Sequence, residues 1–333
     1  MVTRGVIQFK TAPSIASTGV TAGPLERKSP FSESFDKIYD DERCGQDTNE
    51  HGHAKLMEDA SMIALSKVNA IPEDADFLLT GDLVNQMTPS NFCATTLGIP
   101  YIGLFSACAT SVSSLLTAAI LTDAGISELA IAGSSSQHNA IERQFRYPIE
   151  YGVQKGDSAQ WTVTAAGAAA VTPHSEGVPS IERGTIGKAI DMGLTDPLNM
   201  GAAMAPAAAD TLFRHLEGHG ASVEDYDVIM TGDLGKTGYE ILKRLADLQG
   251  IRNTDNFRDA GMEFYGKDTK FFAGASGAGC SAAVYFSEIY NKMLSRQYKR
   301  VLLIATGALL SPMSYQQGDT IPCTAHAIEL TMK

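Results

Sequence analysis

The chain has 333 residues, 44 % of them apolar and 19 % charged. That composition excludes a disordered chain and leaves room for a large core and two domain-sized units. A formal charge of −12, with no basic stripe to offset it, argues against nucleic acid or an anionic lipid surface as a direct partner.

The N-terminal stretch carries Arg4 and Lys10 without an apolar run behind them, so no signal peptide is expected. The longest apolar stretch, VLLIATGALL (301–310), is about half a membrane span, and a soluble chain is expected. Five cysteines, Cys44, Cys93, Cys108, Cys280 and Cys323, form an odd set without CxxC or Cys/His ligand spacing. They read as reduced thiols of a cytosol-like compartment, and neither a disulfide framework nor a structural zinc is predicted. NEHGHAK places His51 and His53 in a polar loop or first helical turn.

The strand DFLLTGDL (76–83) returns as DVIMTGDL (227–234). Each is followed by a helix, a short strand, a Cys-containing small-residue turn, a second helix and a strand that ends in small residues. Such an internal repeat predicts two similar α/β halves. Continuous apolar runs such as LAIAG and VLLIATG predict parallel strands covered on both faces by helices. Each half ends in a further strand, WTVTAAGAAAVTP (161–173) and TAHAIELTM (324–332). The halves are assigned to residues 1–177 and 178–333, divided near the turn-rich PHSEGVPS (173–180). A low-periodicity stretch, 137–160, interrupts the first half as a functional or interface loop. In the second half MGAAMAPAAADTLFRHL predicts a packing helix with Pro206 early in it. His174, His215 and His219 read as surface residues.

SACATSVSSL (106–115) places Cys108 in a small-residue turn ahead of a helix. A helix N-terminus and a nearby base make a thiol nucleophilic. A buried small apolar residue is the equally open alternative. Asp82 and Asp233 end the repeated strands. They face a ligand crevice or, the blander reading, cap the helices that follow.

Two pseudo-symmetric halves with a cysteine at a strand-to-helix turn resemble the thiolase fold, which implies two βαβαβαββ halves in a layered αβαβα core. SACATSVSSL resembles the nucleophile turn of ketoacyl synthases, and GASGAGCSAA (274–283) the equivalent turn of the second half. More specifically, TAGP (21–24), FDKIYDD (35–41), NAIERQFRYPIEYGVQK (139–155), LTDPLNMGAAMAPAAADT (194–211), ATGALLSP (305–312) and IPCTAHAIEL (321–330) resemble the stage V sporulation protein AD family over nearly the whole chain. That resemblance implies a protein of spore formers that binds dipicolinic acid (pyridine-2,6-dicarboxylate), with or without calcium, and supports its uptake into the developing spore. It also implies membrane partners of the same operon, a place at the spore inner membrane, and a homodimer formed through the first half. No cofactor is implied.

The synthase resemblance also shows what is missing. Asp233 stands where such enzymes carry a His, Gly279 where they carry an Asn turn, and Phe271 and Phe272 where thiolases carry a His. His326 is the remaining candidate base. It serves either an acyltransferase using Cys108 and His326 or, as the preferred reading, the wall of a binding pocket. A flat dicarboxylate asks for close backbone N–H groups, a bidentate Arg and an apolar slot. The residues offered for it are Cys108, Ser276, Gly277 and Gly307 at the turns, Arg143 and Arg146 in the loop, His138, and His326 with Asp82 and Asp233.

Overall fold

The structure, a computed structural model, describes residues 4–145 and 157–333. Its strands are β1 (Val6–Gln8), β2 (Ser14–Ala22), β3 (Lys37–Ile38), β4 (Phe77–Thr80), β5 (Tyr101–Gly103), β6 (Ala130–Ser136), β7 (Trp161–Thr162), β8 (Ala165–Thr172), β9 (Ser180–Thr185), β10 (Val228–Thr231), β11 (Phe257–Asp259), β12 (Ala275–Ser276), β13 (Arg300–Ala308) and β14 (Cys323–Thr331). Its helices are α1 (Asn49–Lys67), α2 (Thr88–Leu97), α3 (Thr110–Asp123), α4 (His138–Phe145), α5 (Met200–His219), α6 (Gly235–Leu248), α7 (Ala260–Glu263), α8 (Ala278–Val284), α9 (Tyr290–Leu294) and α10 (Pro312–Gln316).

The repeat read from TGDL is visible in the strand order. The first half runs β5-β4-β6-β8-β2 and the second β11-β10-β13-β14-β9, the same permutation of five strands. The two series meet where β9 touches β2 at Ser14 and Ser180. The expectation of parallel strands holds for β5-β4-β6 and β11-β10-β13. It fails for β8 and β14, which run antiparallel to their neighbours because each returns directly across its own half.

Three apolar layers follow from this order. Helices α3 and α8 lie in the middle and pack against strands of both halves. Helices α5 and α6 cover the second half, and α1 and α2 cover the first. Small residues set the close approaches. A Cβ on Gly19 of β2 would lie 2.1 Å from the Ala60 carbonyl of α1, and one on Gly201 of α5 would lie 2.2 Å from the Leu234 carbonyl. The stripe of MGAAMAPAAAD is therefore helix packing, as its composition suggests, with Pro206 inside α5.

Two local expectations need correction. Part of the stretch 137–160 is helical: α4 starts at His138 because the Gln137 side chain accepts the Ala140 N–H at 2.7 Å. Glutamine is not among the residues that usually mark a helix start, so the signal was invisible. His53 and His215 are fully buried rather than in polar or surface positions. His53 Nε2 lies 3.0 Å from Ser135 Oγ, and His215 Nδ1 lies 2.9 Å from Thr185 Oγ1.

His215 belongs to a polar knot around Glu329 of β14. Tyr226 donates to Glu329 Oε2 at 2.8 Å, and Arg300 donates to both carboxylate oxygens at 3.1 and 3.2 Å. Burial pushes this carboxyl up, but the bonds from His215, Arg300 and Tyr226 overcome it and hold the pKa at about 2. In the unfolded chain it returns towards 4.5. The stability it contributes is therefore complete above about pH 4.5 and disappears as the pH falls towards 2. Glu329→Gln is expected to destabilise the fold by about 3 kcal/mol at pH 7. The gap to the unsubstituted chain should narrow between pH 4.5 and 2, as followed by urea unfolding across that range.

Candidate functional site

The Cys108 turn is built by constraint from both sides. Ala107 adopts φ +50°, a left-handed conformation that costs a side-chain-bearing residue free energy and is found preferentially at functional turns. Thr110 Oγ1 holds that shape by donating to the Ala107 carbonyl at 2.7 Å and accepting the Ser106 N–H at 3.2 Å. The opposite half supplies Gly307 of β13, where a Cβ would lie 2.2 Å from the Ser106 carbonyl. Gly307 is thus needed for the turn to sit on β13, and its neighbour Ala308 is the residue that reaches the pocket.

Asp233 is the polar centre of the site. It is fully buried. Its Oδ2 accepts the Gly277 N–H at 3.1 Å, its Oδ1 accepts the Thr306 hydroxyl at 2.9 Å, and it pairs with the Cys108 thiol. It does not cap α6. That role belongs to Asp259, which accepts the Leu234 and Gly235 N–H groups at 2.9 Å each. Asp82 does act as a cap: it accepts the Ser90 N–H of α2 at 2.9 Å and the Val84 N–H at 2.7 Å, away from the pocket wall.

The electrostatics of this pair oppose a thiolate. Burial pushes the Cys108 thiol well above its ordinary value. The Asp233 carboxylate and its hydrogen bond push it further, against a smaller opposing pull from the Gly277 N–H. Burial likewise raises Asp233 to about 6, despite its bonds to Cys108, Gly277 and Thr306. A helix N-terminus behind Cys108 is present, but a carboxylate in contact outweighs it.

Cys108 lines a pocket with about 50 Å³ of water-accessible space. Leu83, Phe105, Ile141, Met200 and Leu310 make most of its wall, and Thr162, Ser276 and Glu142 supply polar groups. Glu142 is buried and accepts the Thr162 hydroxyl at 2.8 Å. Gly277 enters α8 at φ +108°, which only glycine adopts freely, and this brings its backbone to the pocket. Among the described lining residues there is no Lys, Arg or His.

The other residues singled out from the sequence are dispersed. His326 is buried on β14, and its Nδ1 accepts the Gly187 N–H at 3.0 Å. Burial, with Arg214 nearby, lowers its pKa to about 4. It is outside the pocket wall. It is therefore a neutral imidazole whose Nδ1 is engaged as an acceptor. Arg143 pairs with Glu50 of α1. His138 stacks on Trp161 with ring centroids 4.2 Å apart, and its Nδ1 faces the Thr162 carbonyl at 2.9 Å. Arg146 and Tyr147 lie outside the described residues, and the side chain of Phe145 is not described. Glu142 and Thr162 are not legible in the sequence, since no pattern links an acid to a hydroxyl twenty residues on.

The family model for stage V sporulation protein AD (SpoVAD) matches residues 3–331. A protein of Bacillus subtilis strain 168, stage V sporulation protein AD, is 43 % identical over 314 residues, covering 94 % of this chain and 93 % of its own length. This chain belongs to the stage V sporulation protein AD family. Solved structures share the fold at low identity. The 3-oxoacyl-[acyl-carrier-protein] synthase III of Aquifex aeolicus superposes with TM-score 0.58 at 13 % identity, covering 96 % of this chain and 99 % of that one. Human mitochondrial 3-ketoacyl-CoA thiolase in complex with CoA gives 0.61 at 11 %, covering 98 % and 99 %. The family therefore uses the thiolase fold, and no helix among the described residues is long and apolar enough to cross a membrane.

Alkylation of Cys108 by iodoacetamide, followed by peptide mass mapping at pH 8, is expected to run at least about tenfold slower than for a free cysteine. Asp233→Asn should accelerate it, because both effects of Asp233 on the thiol raise its pKa. Unchanged labelling in that variant would show that Asp233 does not control the thiol.

Proposed function

We propose that this chain is a non-catalytic, thiolase-fold binder of dipicolinic acid that supports its uptake into the developing spore. The observation that carries this reading is the Cys108–Asp233 contact. At the nucleophile's turn the fold keeps a pocket, but the cysteine faces a carboxylate where an enzyme needs a base or an oxyanion donor. His326 Nδ1 accepts the Gly187 N–H, and this engagement supports binding over an acyltransferase pair of Cys108 and His326.

The apolar wall suits a flat ring, and Ser276, Gly277 and Thr162 offer polar contacts to its carboxyl groups. Glu142 and Asp233 nearby disfavour a bare dianion. A calcium chelate or a protonated acid brings in less uncompensated negative charge. Membrane proteins of the same sporulation operon remain the partners in this reading, and the chain works peripherally at the spore inner membrane. Calorimetric titration with dipicolinate, with and without calcium, should give saturable binding that is stronger with calcium. Pyridine-2-carboxylate should not bind, since it lacks the second carboxylate. Absence of saturation under either condition would end this reading.

A homodimer is part of the same proposal. Strand β5 ends the sheet with one side of its backbone unpaired, and Ile102 and Phe105 are 40 % and 51 % exposed there. An uncovered apolar edge strand is a ready surface for twofold pairing with a second copy. Phe105 also lines the pocket, so a partner at this edge lies close to the ligand. Sedimentation velocity at micromolar concentration should show a dimer, and Ile102→Lys should shift it to monomer. A monomer in both cases would contradict the assignment.

A further inference from the structure

Two residues beyond pocket-lining Thr162, the chain is held by a carboxyl group that the binding site does not use. Thr164 donates its N–H to Glu26 Oε1 at 3.0 Å, and its carbonyl accepts the Gly23 N–H at 2.7 Å. Tyr265 donates its hydroxyl to the same Glu26 oxygen at 2.9 Å. Glu26 has no measurable exposure, and its Oε2 has no hydrogen-bond partner. A second carboxylate, Glu42, reaches the Thr164 hydroxyl at 3.4 Å. The other titratable groups around this point are Asp41 beside Glu42, Cys280 of α8 behind Tyr265, and His138 of α4, whose backbone N–H bonds the Thr164 hydroxyl at 3.1 Å. On Glu26's own turn, Arg27 is exposed and paired with Asp40. Among the described residues no Lys or Arg ion-pairs with Glu26.

An ionised carboxylate with one oxygen dry and unpaired is costly; protonation removes the buried charge and lowers that cost, with Oε1 as the double acceptor and Oε2 as a buried hydroxyl. The same stretch also carries β7, which pairs in register with β12, Trp161 with Ala275 and Thr162 with Ser276. Thr162 and Ser276 both face the pocket.

We propose that Glu26 is a proton-operated latch on the pocket wall. Protonated, its carboxyl holds Thr164, and through β7 it keeps Thr162 and Ser276 in the binding arrangement. Ionised, it draws in water or turns out, and the wall loosens. Burial is the main cause of a pKa raised to about 7, with Glu42 pushing the same way and the Thr164 and Tyr265 bonds pulling it down. The latch therefore opens around neutral pH. The ligand part of this inference rests on the reading given under Proposed function; the latch itself does not.

Trp161, the only tryptophan of the chain, lies in β7 and reports the latch without any ligand. Its emission in the full-length protein should change between pH 5.5 and 8.5 with a midpoint near 7. Glu26→Gln, an isostere of the protonated form, should abolish the transition and keep the low-pH signal. A transition that survives in Glu26→Gln belongs to His138, which stacks on Trp161, and would overturn the proposal, as would a flat profile in the unsubstituted chain. Two milder variants guard against misfolding of the first. Tyr265→Phe should raise the midpoint and Glu42→Gln should lower it, because these groups act on Glu26 in opposite directions. No shift in either would also overturn it.

Dipicolinate, fully ionised across this range, should bind about tenfold more weakly at pH 8 than at pH 6, and the loss should shrink in Glu26→Gln to the part that Asp233 contributes as it ionises near pH 6. If dipicolinate fails to bind at any pH while the Trp161 transition behaves as described, the latch stands and the ligand assignment falls. If dipicolinate binds with a pH dependence untouched by Glu26→Gln, the coupling of latch to pocket is wrong.

Discussion

One buried carboxylate holds the centre of this molecule together. Asp233 belongs to the second half, and it joins the strand end of β10 to the α8 turn through Gly277, to β13 through Thr306, and to the first half through the Cys108 thiol. A buried acid without partners would be ruinous, so each of these bonds is a constraint on where its partner must sit. The Cys108 turn, the glycine entrance to α8 and the end of β13 are fixed relative to one another by this side chain. The pocket is the space that remains between them.

The same contact sets the chemistry of the sulfur. A thiolase fold brings a cysteine to the start of a buried helix, where the backbone favours negative charge. Placing a carboxylate against the sulfur reverses that preference, and the thiol stays protonated. The wall around it is apolar, with hydroxyls, one glycine backbone and a carboxylate as its polar features. Under the proposed reading, such a site holds a small aromatic acid or its metal chelate instead of activating an acyl group.

Much of the fold was legible in the sequence because it is written twice. DFLLTGDL and DVIMTGDL mark equivalent strands, and the two Cys-containing turns mark the equivalent helices of the middle layer. The site was legible only in part. Cys108, Ser276 and Gly277 were found because a turn of small residues ahead of a helix is a local pattern. Asp233 stood between two readings, a residue of the ligand crevice and a cap of the following helix. The competing cap, Asp259, lies 26 residues later and is brought in by the β10–β11 pairing. His326 looked available because nothing near it in sequence occupies it, whereas Gly187 reaches it from 139 residues away. Glu26 and Glu142 carried no signal at all, since burial of an acid is a property of the packed state.

The central claim is that Cys108 is held for binding and not for acyl transfer. It is tested most directly by incubating the full-length protein with acetyl-CoA and with a longer acyl-CoA, then measuring its intact mass at pH 7. The account predicts an unchanged mass. A stable mass increase equal to one acyl group, mapped to Cys108 and absent in Cys108→Ala, would contradict it and return the protein to the acyltransferases whose fold it shares.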